Sequence, residues 1–480
     1  MMNRLLSRVV FGFLFLVAPV LVHAASTQPN ILFILADDMG WTAPACYGSD
    51  LHETPNIDRL ASQGLRFTQA YSASPVCTPT RAAIMTGQHP ARLNMTIWHE
   101  AAVSRLSSPG DKKLAPPITE TALALEHTTL AEVLRDAGYQ TAHVGKWHLG
   151  TAEQYPETQG FDVNVGGTFY GAPLTYWYPY KGERVSGNGV REFRYVPGLP
   201  PGKEGDYLDD KLTDQALTLM DQMHASGKPF YLNMAFYSPH TPIEGKPELV
   251  AKYKAKVREG MTHKNAGFAA MMETLDENIG RLLAKLDTLG IADNTVVVFY
   301  SDNGGFDEVR NGEQVANNAP LRSGKGSAYE GGIRVPLIVR WPGVTPAGTV
   351  CDTPVTSMDF YPTILELLGD KAHAPEKVLD GVSLGPVLRD PTVSLGREDF
   401  QWHYPHYYFN TTPVSAFRHG DWKLIEYYED GRKELYNIKD DLSESTDLAA
   451  VKPEIVKDLE ERLQTWRTEV NARLPEKNVQ

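Results

Sequence analysis

The sequence predicts an α/β fold, with a large, mixed but mostly parallel sheet sandwiched by helices and a smaller C-terminal α+β subdomain. Three observations carry this reading. The run from Asn30 to Ala36 (Asn-Ile-Leu-Phe-Ile-Leu-Ala) is almost continuously apolar, as expected of a strand buried on both faces of a parallel sheet. Phe268, Met272, Leu275, Ile279, Leu282 and Leu286 recur at helical spacing and lead into a second such strand, Thr295 to Tyr300. Strands alternating with helices in this way build a helix-covered sheet. Beyond about Asp370 the texture changes to short strand-like runs such as Trp422 to Ile425, followed by an amphipathic helix.

Taken along the chain, residues 1–24 read as a secretory signal peptide. Arg4 and Arg8 supply the positive region, Val9 to Val22 the apolar stretch, and Val22-His23-Ala24 the cleavage site. The apolar stretch is short for a bilayer span. No adjacent arginine pair marks twin-arginine export, and no cysteine follows the cleavage site to carry a lipid. The expectation is an exported protein, periplasmic or extracellular, without a stable membrane anchor. Thr54 and Pro55 open a short helix that stops at Gly64. Thr129 and Glu132 have capping-box spacing, and Gly138 closes that helix. From Thr151 to Tyr207 the periodicity is weak and Gly, Pro and aromatics abound, which predicts long loops and short hairpins over the sheet. The terminal helix places Ile455, Leu459, Leu463, Trp466 and Val470 on one face. The division expected is a catalytic domain over 25–370, then a subdomain over 371–480 with a small antiparallel sheet and the terminal helix.

Composition narrows the function. The 480 residues, 42% of them hydrophobic, can bury a large core. A formal net charge of -13 argues against nucleic acid, whose binding needs concentrated Lys and Arg. It leaves room for a small anion held in one basic pocket. Cys46, Cys77 and Cys351 are too few for a disulfide framework. Cys46 and Cys351 either pair or are ordinary buried residues, and Cys77 is left over.

The chemistry gathers where strands end. Asp37-Asp38 follows the first strand, Gly145-Lys146-Trp147-His148 follows Thr141 to Val144, Ser238-Pro239-His240 follows Phe230 to Phe236, and Asp302-Asn303-Gly304-Gly305 follows Val296 to Tyr300. Ligands of open parallel sheets bind outside the carboxyl ends of the strands, so these distant segments converge on one edge. Asp37, Asp38, Asp302 and Asn303 are hard oxygen ligands, suited to Ca²⁺ or Mg²⁺ rather than zinc. Cys77 precedes Thr78-Pro79-Thr80-Arg81, which reads as a helix opening with Pro in its first turn. Residue 77 then lies near a helix N-terminus that favours an anion, and Arg81 is one turn along. Arg81, Lys146 and Lys325 could neutralise a tetrahedral anion. Lys325 lies in a glycine-rich loop, Arg322 to Gly332, that lacks the spacing of a nucleotide-phosphate loop. His148 and His240 sit where proton transfer is useful.

These residues resemble the formylglycine-dependent sulfatases of the alkaline phosphatase superfamily. The resemblance runs from about Asn30 to about Leu448. It includes Cys77-Thr78-Pro79-Thr80-Arg81 with Thr86-Gly87, Gly145 to Gly150, Ser301 to Gly305, Gly331 to Pro336 and Gly420 to Leu424. Met85 stands where many members carry leucine, a volume-conserving departure. The resemblance implies that Cys77 is oxidised to formylglycine by a formylglycine-generating or anaerobic sulfatase-maturing enzyme. It also implies one Ca²⁺ held by Asp37, Asp38, Asp302, Asn303 and the modified residue 77. Arg81 and Lys146 would hold that residue, Lys325 would contact sulfate, His240 would protonate the leaving alcohol, and His148 would move the proton that releases sulfate.

Export and texture resemble bacterial sulfatases of sulfated polysaccharides or glycosaminoglycans, which implies an exo-acting carbohydrate sulfatase. Among the aromatic clusters, Trp177 is expected to stack on a sugar ring and His403 and His406 to bind hydroxyls. The rival readings are a phosphonate monoester or phosphodiester hydrolase of the same superfamily and an inactive Ca²⁺-dependent glycan-binding protein.

Overall fold

The computed structural model describes residues 28–104, 111–185, 191–310, 312–372 and 375–479. The expected signal peptide lies outside them. Among the described residues no helix is long and apolar enough to cross a membrane.

Nine strands form the central sheet. Its order across the molecule is Thr349–Cys351, Leu65–Tyr71, Arg334–Arg340, Thr295–Ser301, Asn30–Ala36, Phe230–Ala235, Gln140–Gly145 and Val163–Val165, with Val355–Thr356 also on Leu65–Tyr71. The pairings are parallel except those of Arg334–Arg340, which runs against both neighbours. The apolar run of the first strand is explained by its two faces. Leu32, Ile34 and Ala36 pack into one core, and Ile31, Phe33 and Leu35 into the other. The period of two assigns alternate residues to opposite layers, so a strand at the centre must be apolar at both.

The helix Ala266–Thr288 covers the first face with Leu208–Ala225 and Pro55–Gln63, burying Met272, Leu275, Ile279 and Leu282. The opposite face is covered by Leu130–Asp136 and Phe360–Leu368. Thr129 closes a full capping box with Glu132, each side chain bonding the other residue's backbone N–H. Between Thr151 and Tyr207 lie two single-turn helices and the exposed hairpin Lys181–Val185 with Arg191–Tyr195, as the weak periodicity predicted.

Near the C-terminus Asp399–Tyr404, Val414–His419, Trp422–Tyr427 and Lys433–Asn437 form an antiparallel sheet in sequence order. Its Trp402, Tyr404 and Ile425 pack with Tyr71, Val76 and Ile97 of the larger layer. Phe417, Leu424 and Leu435 pack with Leu459, Leu463 and Trp466 of the terminal helix Pro453–Glu469. The seam between the two sheets holds a buried charge triad. Lys423 Nζ lies 3.0 Å from Glu330 and 2.9 Å from Glu444, with all three side chains fully buried. Glu330 follows the Lys325 loop, so the triad fixes that loop against the small sheet.

Removing the lysine would leave the buried Glu444 carboxylate without its cation and Glu330 with Arg334 alone, 3.3 Å away. Lys423→Met is therefore expected to destabilise the protein by about 3–5 kcal/mol, measured by denaturant unfolding. Unchanged stability would show that the triad carries no structural charge balance. All three cysteines are free, which removes the Cys46–Cys351 pairing option: Cys351 is a buried strand residue and Cys46 half-buried.

Candidate active site

The four strand-end segments meet at one edge of the sheet, and backbone bonds stitch them together. Asp37 N–H donates to Ser238 O at 3.1 Å, Asp302 N–H to Ala36 O at 3.2 Å, and Lys146 N–H to Ala235 O at 2.8 Å. Asp38 takes a left-handed φ of 61°, turning its carboxylate back over the strand end. Gly145 sits where a Cβ would stand 1.8 Å from Ala235 O, so only glycine lets the Lys146 segment leave its strand this close to the neighbour.

Cys77 is the first residue of the helix Cys77–Thr86, whose ten residues are all buried. Its Sγ joins one carboxylate oxygen each from Asp37 and Asp38 and a ring nitrogen of His240, all within 4.8 Å of one another. Burial pushes the Cys77 thiol up to about 12, against the pull of Lys146 and Lys325.

Cations and carboxylates interleave around it. Lys146 Nζ is 2.6 Å from Asp37 Oδ2, Arg81 Nε 2.9 Å from Asp302 Oδ2, and Lys325 Nζ 2.7 Å from Asp38 Oδ1. Arg81 also donates to Lys146 O at 2.7 Å, and Asp38 N–H donates to Asp302 Oδ1 at 3.2 Å. Burial raises the Asp37 carboxyl, reinforced by Asp302. For Asp38, burial is overcome by Lys325 and His240, and its carboxyl is held below the usual range. The Lys325 loop is anchored by Gly326 N–H on Pro75 O at 2.8 Å, next to the Cys77 turn.

Asn303 Nδ2 donates to Asp38 Oδ1 at 2.7 Å, leaving Asn303 Oδ1 and Asp37 Oδ1 buried without partners. Two orphaned oxygens beside three carboxylates fit a hard cation, because buried acceptors without donors are costly. The three carboxylates are already balanced by Arg81, Lys146 and Lys325. A bound anion that gains negative charge during reaction therefore calls for further positive charge, which a divalent ion would bring.

The two histidines differ in tautomer. His240 Nδ1 lies 2.7 Å from Thr241 O, a pure acceptor, so Nδ1 carries the proton and Nε2 faces Asp38 Oδ2 at 3.5 Å. His148 Nε2 lies 2.6 Å from Glu100 Oε2, so its proton is on Nε2, and Nδ1 is buried without a partner. Burial holds both rings down to about 3.

The structure thus gathers Asp37, Asp38, Cys77, Arg81, Lys146, His240, Asp302, Asn303 and Lys325 into one contact network. His148 is tied to it through the backbone, since its carbonyl accepts from Thr78 Oγ1 at 3.0 Å. The Trp177 ring packs edge-on against Tyr207 at 5.0 Å, and the adjacent Tyr176 hydroxyl is 2.9 Å from His240 O.

His403 and His406, expected to bind substrate hydroxyls, are both buried. His403 is buried, with Nδ1 2.7 Å from Ser415 Oγ and Nε2 3.0 Å from Arg473 O, so both nitrogens are committed internally. His406 is fully buried against Thr96 Oγ1 at 2.8 Å. His403→Ala is expected to cost about 1–3 kcal/mol in stability by removing the bonds to Ser415 Oγ and Arg473 O, with KM unchanged. A raised KM at undiminished stability would restore the substrate role.

Three residues that the sequence did not single out also matter. Glu100 holds His148. Arg194, from the exposed hairpin, approaches Glu100 at 3.6 Å. Thr78 accepts from His99 N–H at 3.2 Å while donating to His148. None follows a strand of the central sheet, the pattern that marks Asp37, Asp38, Lys146, Asp302 and Asn303.

Comparison with known proteins agrees with this geometry. The sulfatase family matches residues 29–370, and the C-terminal family of N-sulphoglucosamine sulphohydrolase matches 324–469. A sulfatase of Formosa agariphila is 33% identical, covering 98% of this chain and 95% of that protein. The N-acetylgalactosamine-6-sulfatase of Canis lupus familiaris is 34% identical over 76% of this chain and 66% of its own length. The crystal structure of Ps i-CgsB in complex with k-i-k-neocarrahexaose superposes with a TM-score of 0.75 at 28% identity, covering 92% of each chain. The chain belongs to the sulfatase family, within the alkaline phosphatase-like superfamily.

Proposed function

We propose that this sulfatase removes sulfate from a sulfated carbohydrate, a polysaccharide or glycosaminoglycan fragment attacked from its end, using formylglycine at position 77 and one Ca²⁺. The observation that carries the reading is the meeting of Cys77, at a helix N-terminus, with the Asp37 and Asp38 carboxylates, the His240 ring and three buried cations. The carbohydrate class rests on the relatives: one is named for N-acetylgalactosamine 6-sulfate, and another binds a neocarrahexaose.

Formylglycine supplies, as its hydrate, an oxygen nucleophile for sulfur, and Ca²⁺ supplies the charge that orients it and neutralises a sulfate oxygen. Asp37, Asp38, Asp302 and Asn303 would hold the ion, with the unpartnered Asp37 Oδ1 and Asn303 Oδ1 among its ligands. Arg81 and Lys146 hold residue 77 in place, and Lys325 Nζ contacts a sulfate oxygen as negative charge grows there. His240 would take up a proton from solvent at Nε2 as the substrate anion binds beside it and pass that proton to the leaving alcohol oxygen, and His148 accepts the proton whose loss allows sulfate release. Trp177 and the loops over 151–207 form a sugar subsite with the subdomain over 371–480.

The chain requires a formylglycine-generating or anaerobic sulfatase-maturing enzyme as partner, and we infer export to the periplasm or beyond in a bacterial host. A screen of defined sulfated saccharides, each paired with a phosphate ester of the same alcohol, tests the reading on protein converted at residue 77. Sulfate release from at least one saccharide is expected. Turnover of phosphate esters alone would replace it with the phosphonate or phosphodiester hydrolase reading.

A further inference from the structure

We propose that Glu100 is a positioning residue for His148, fixing its imidazole as the Nε2–H tautomer so that Nδ1 is the nitrogen left to accept a proton. This rests on the reading of the chain as a formylglycine sulfatase in which His148 moves a proton.

The geometry fixes the ring from several sides. Glu100, on the short helix His99–Ser104, uses its two carboxylate oxygens in different directions. Oε2 accepts from His148 Nε2 at 2.6 Å, and Oε1 accepts from Gly171 N–H at 2.8 Å. A carboxylate whose two oxygens bind a ring and a backbone amide has no rotation left, and the ring follows it. Gly171 then supplies a flat floor. A Cβ there would stand 2.3 Å from His148 Cε1, 2.6 Å from Nε2 and 2.9 Å from Nδ1, so any other residue would push the ring away.

The backbone is held as firmly. His148 takes a left-handed φ of 64°, donates its N–H to Thr168 O at 2.9 Å and accepts Thr78 Oγ1 at its carbonyl at 3.0 Å. Thr78 is the neighbour of Cys77, so the ring is referenced directly to the helix that carries the reacting position.

Arg194 completes the arrangement. Its Nη2 lies 3.6 Å from Glu100 Oε1, while its other nitrogens bond Glu192 at 3.0 Å and Ala172 O at 3.2 Å. The negative charge of Glu100 is thereby met by a fixed guanidinium even when His148 is neutral. Burial also holds the ring below its usual range despite the carboxylate, which keeps Nδ1 free to accept. When Nδ1 accepts a proton, the imidazolium charge lies against Glu100, which stays ionised; the proton later returns to solvent. A carboxylate that orients and compensates an imidazole without taking its proton is an established catalytic arrangement. Here the carboxylate comes from an element far in sequence from every strand-end motif.

The full-length protein, labelled with ¹⁵N-histidine, tests this through the imidazole nitrogens of His148, assigned by their loss in His148→Gln. The expected spectrum has a protonated Nε2 and an unprotonated Nδ1. Glu100→Gln leaves one acceptor oxygen for two donors and is expected to populate the Nδ1–H form. In converted protein it is expected to lower kcat for 4-methylumbelliferyl sulfate by about 10–100-fold. KM should stay within about two-fold, the pattern of a group that acts on the chemical step rather than on binding. Glu100→Asp is expected to recover part of the rate. An Nδ1–H tautomer in the unsubstituted protein would overturn the proposal, as would a Glu100→Gln variant with unchanged kcat. Converted protein that turned over no sulfate ester would overturn the sulfatase mechanism instead, with the ring assignment still decided by the nitrogen spectrum.

Discussion

Replacing Cys77 with alanine is expected to lower turnover of every sulfate ester by at least about four orders of magnitude, because it removes the attacking group itself. The fold should barely notice. Cys77 is buried at the start of a well-packed helix, and losing one sulfur costs only on the order of 1 kcal/mol. Alanine also keeps the helix start intact. Stability and activity therefore separate, and a melting curve beside an activity assay checks both at once. The contrast matters because the thiol is pushed up to about 12 by burial and would be protonated at neutral pH. If the native cysteine were the nucleophile, the site should lower its pKa, as reactive thiols require. A Cys77→Ala protein with substantial turnover would remove residue 77 from the mechanism.

Removing the metal should have the second largest effect. Stripping bound Ca²⁺ with a chelator is expected to lower turnover by at least about 100-fold, since a bound cation supplies several kcal/mol of transition-state charge stabilisation. It should also lower the melting temperature. At an ion concentration about 100 times its dissociation constant, binding contributes about 2.7 kcal/mol, or about 3 °C for a chain of this length. The reason lies in Asp37 Oδ1 and Asn303 Oδ1, which are buried and without donors. Three carboxylates already matched by Arg81, Lys146 and Lys325 leave no surplus positive charge for a sulfur centre gaining negative charge. Readdition of Ca²⁺ should restore activity more fully than Mg²⁺, whose small octahedral shell suits this set of oxygens less well. Metal-stripped protein with full activity would sink the cation assignment.

Much of this site was legible in the sequence because a parallel sheet does the gathering. Once Asn30 to Ala36 and Thr295 to Ser301 are recognised as doubly buried strands, Asp37-Asp38 and Asp302-Asn303 must emerge side by side. The strands are direct parallel neighbours, with Ala36 opposite Ser301. Lys146 and His240 follow by the same rule from the next two strands. What could not be read was whatever depends on packing between irregular segments. Glu100 reaches His148 from a short helix, and Arg194 from a hairpin inside the weakly patterned stretch.

The burial of His403 has a physical source too. Trp402-His403-Tyr404 looks like a polar-aromatic surface, but alternation in this strand sends Trp402 and Tyr404 into one packed layer and His403 towards the opposite side. The terminal helix covers that side. A strand in a small sheet is exposed on one face only when nothing packs there. The single strand cannot reveal that Pro453–Glu469 does.

The most direct test of the account is turnover per molecule plotted against the fraction of residue 77 converted, read from the mass of the peptide that carries it. Conversion replaces –CH₂SH by –CHO, so the two forms are distinct, and co-production with varying amounts of maturing enzyme supplies the range. The account predicts a straight line through the origin, with unconverted protein inactive. Equal turnover at low and high conversion would contradict it, and would make Cys77 an ordinary buried cysteine beside a site that works without it.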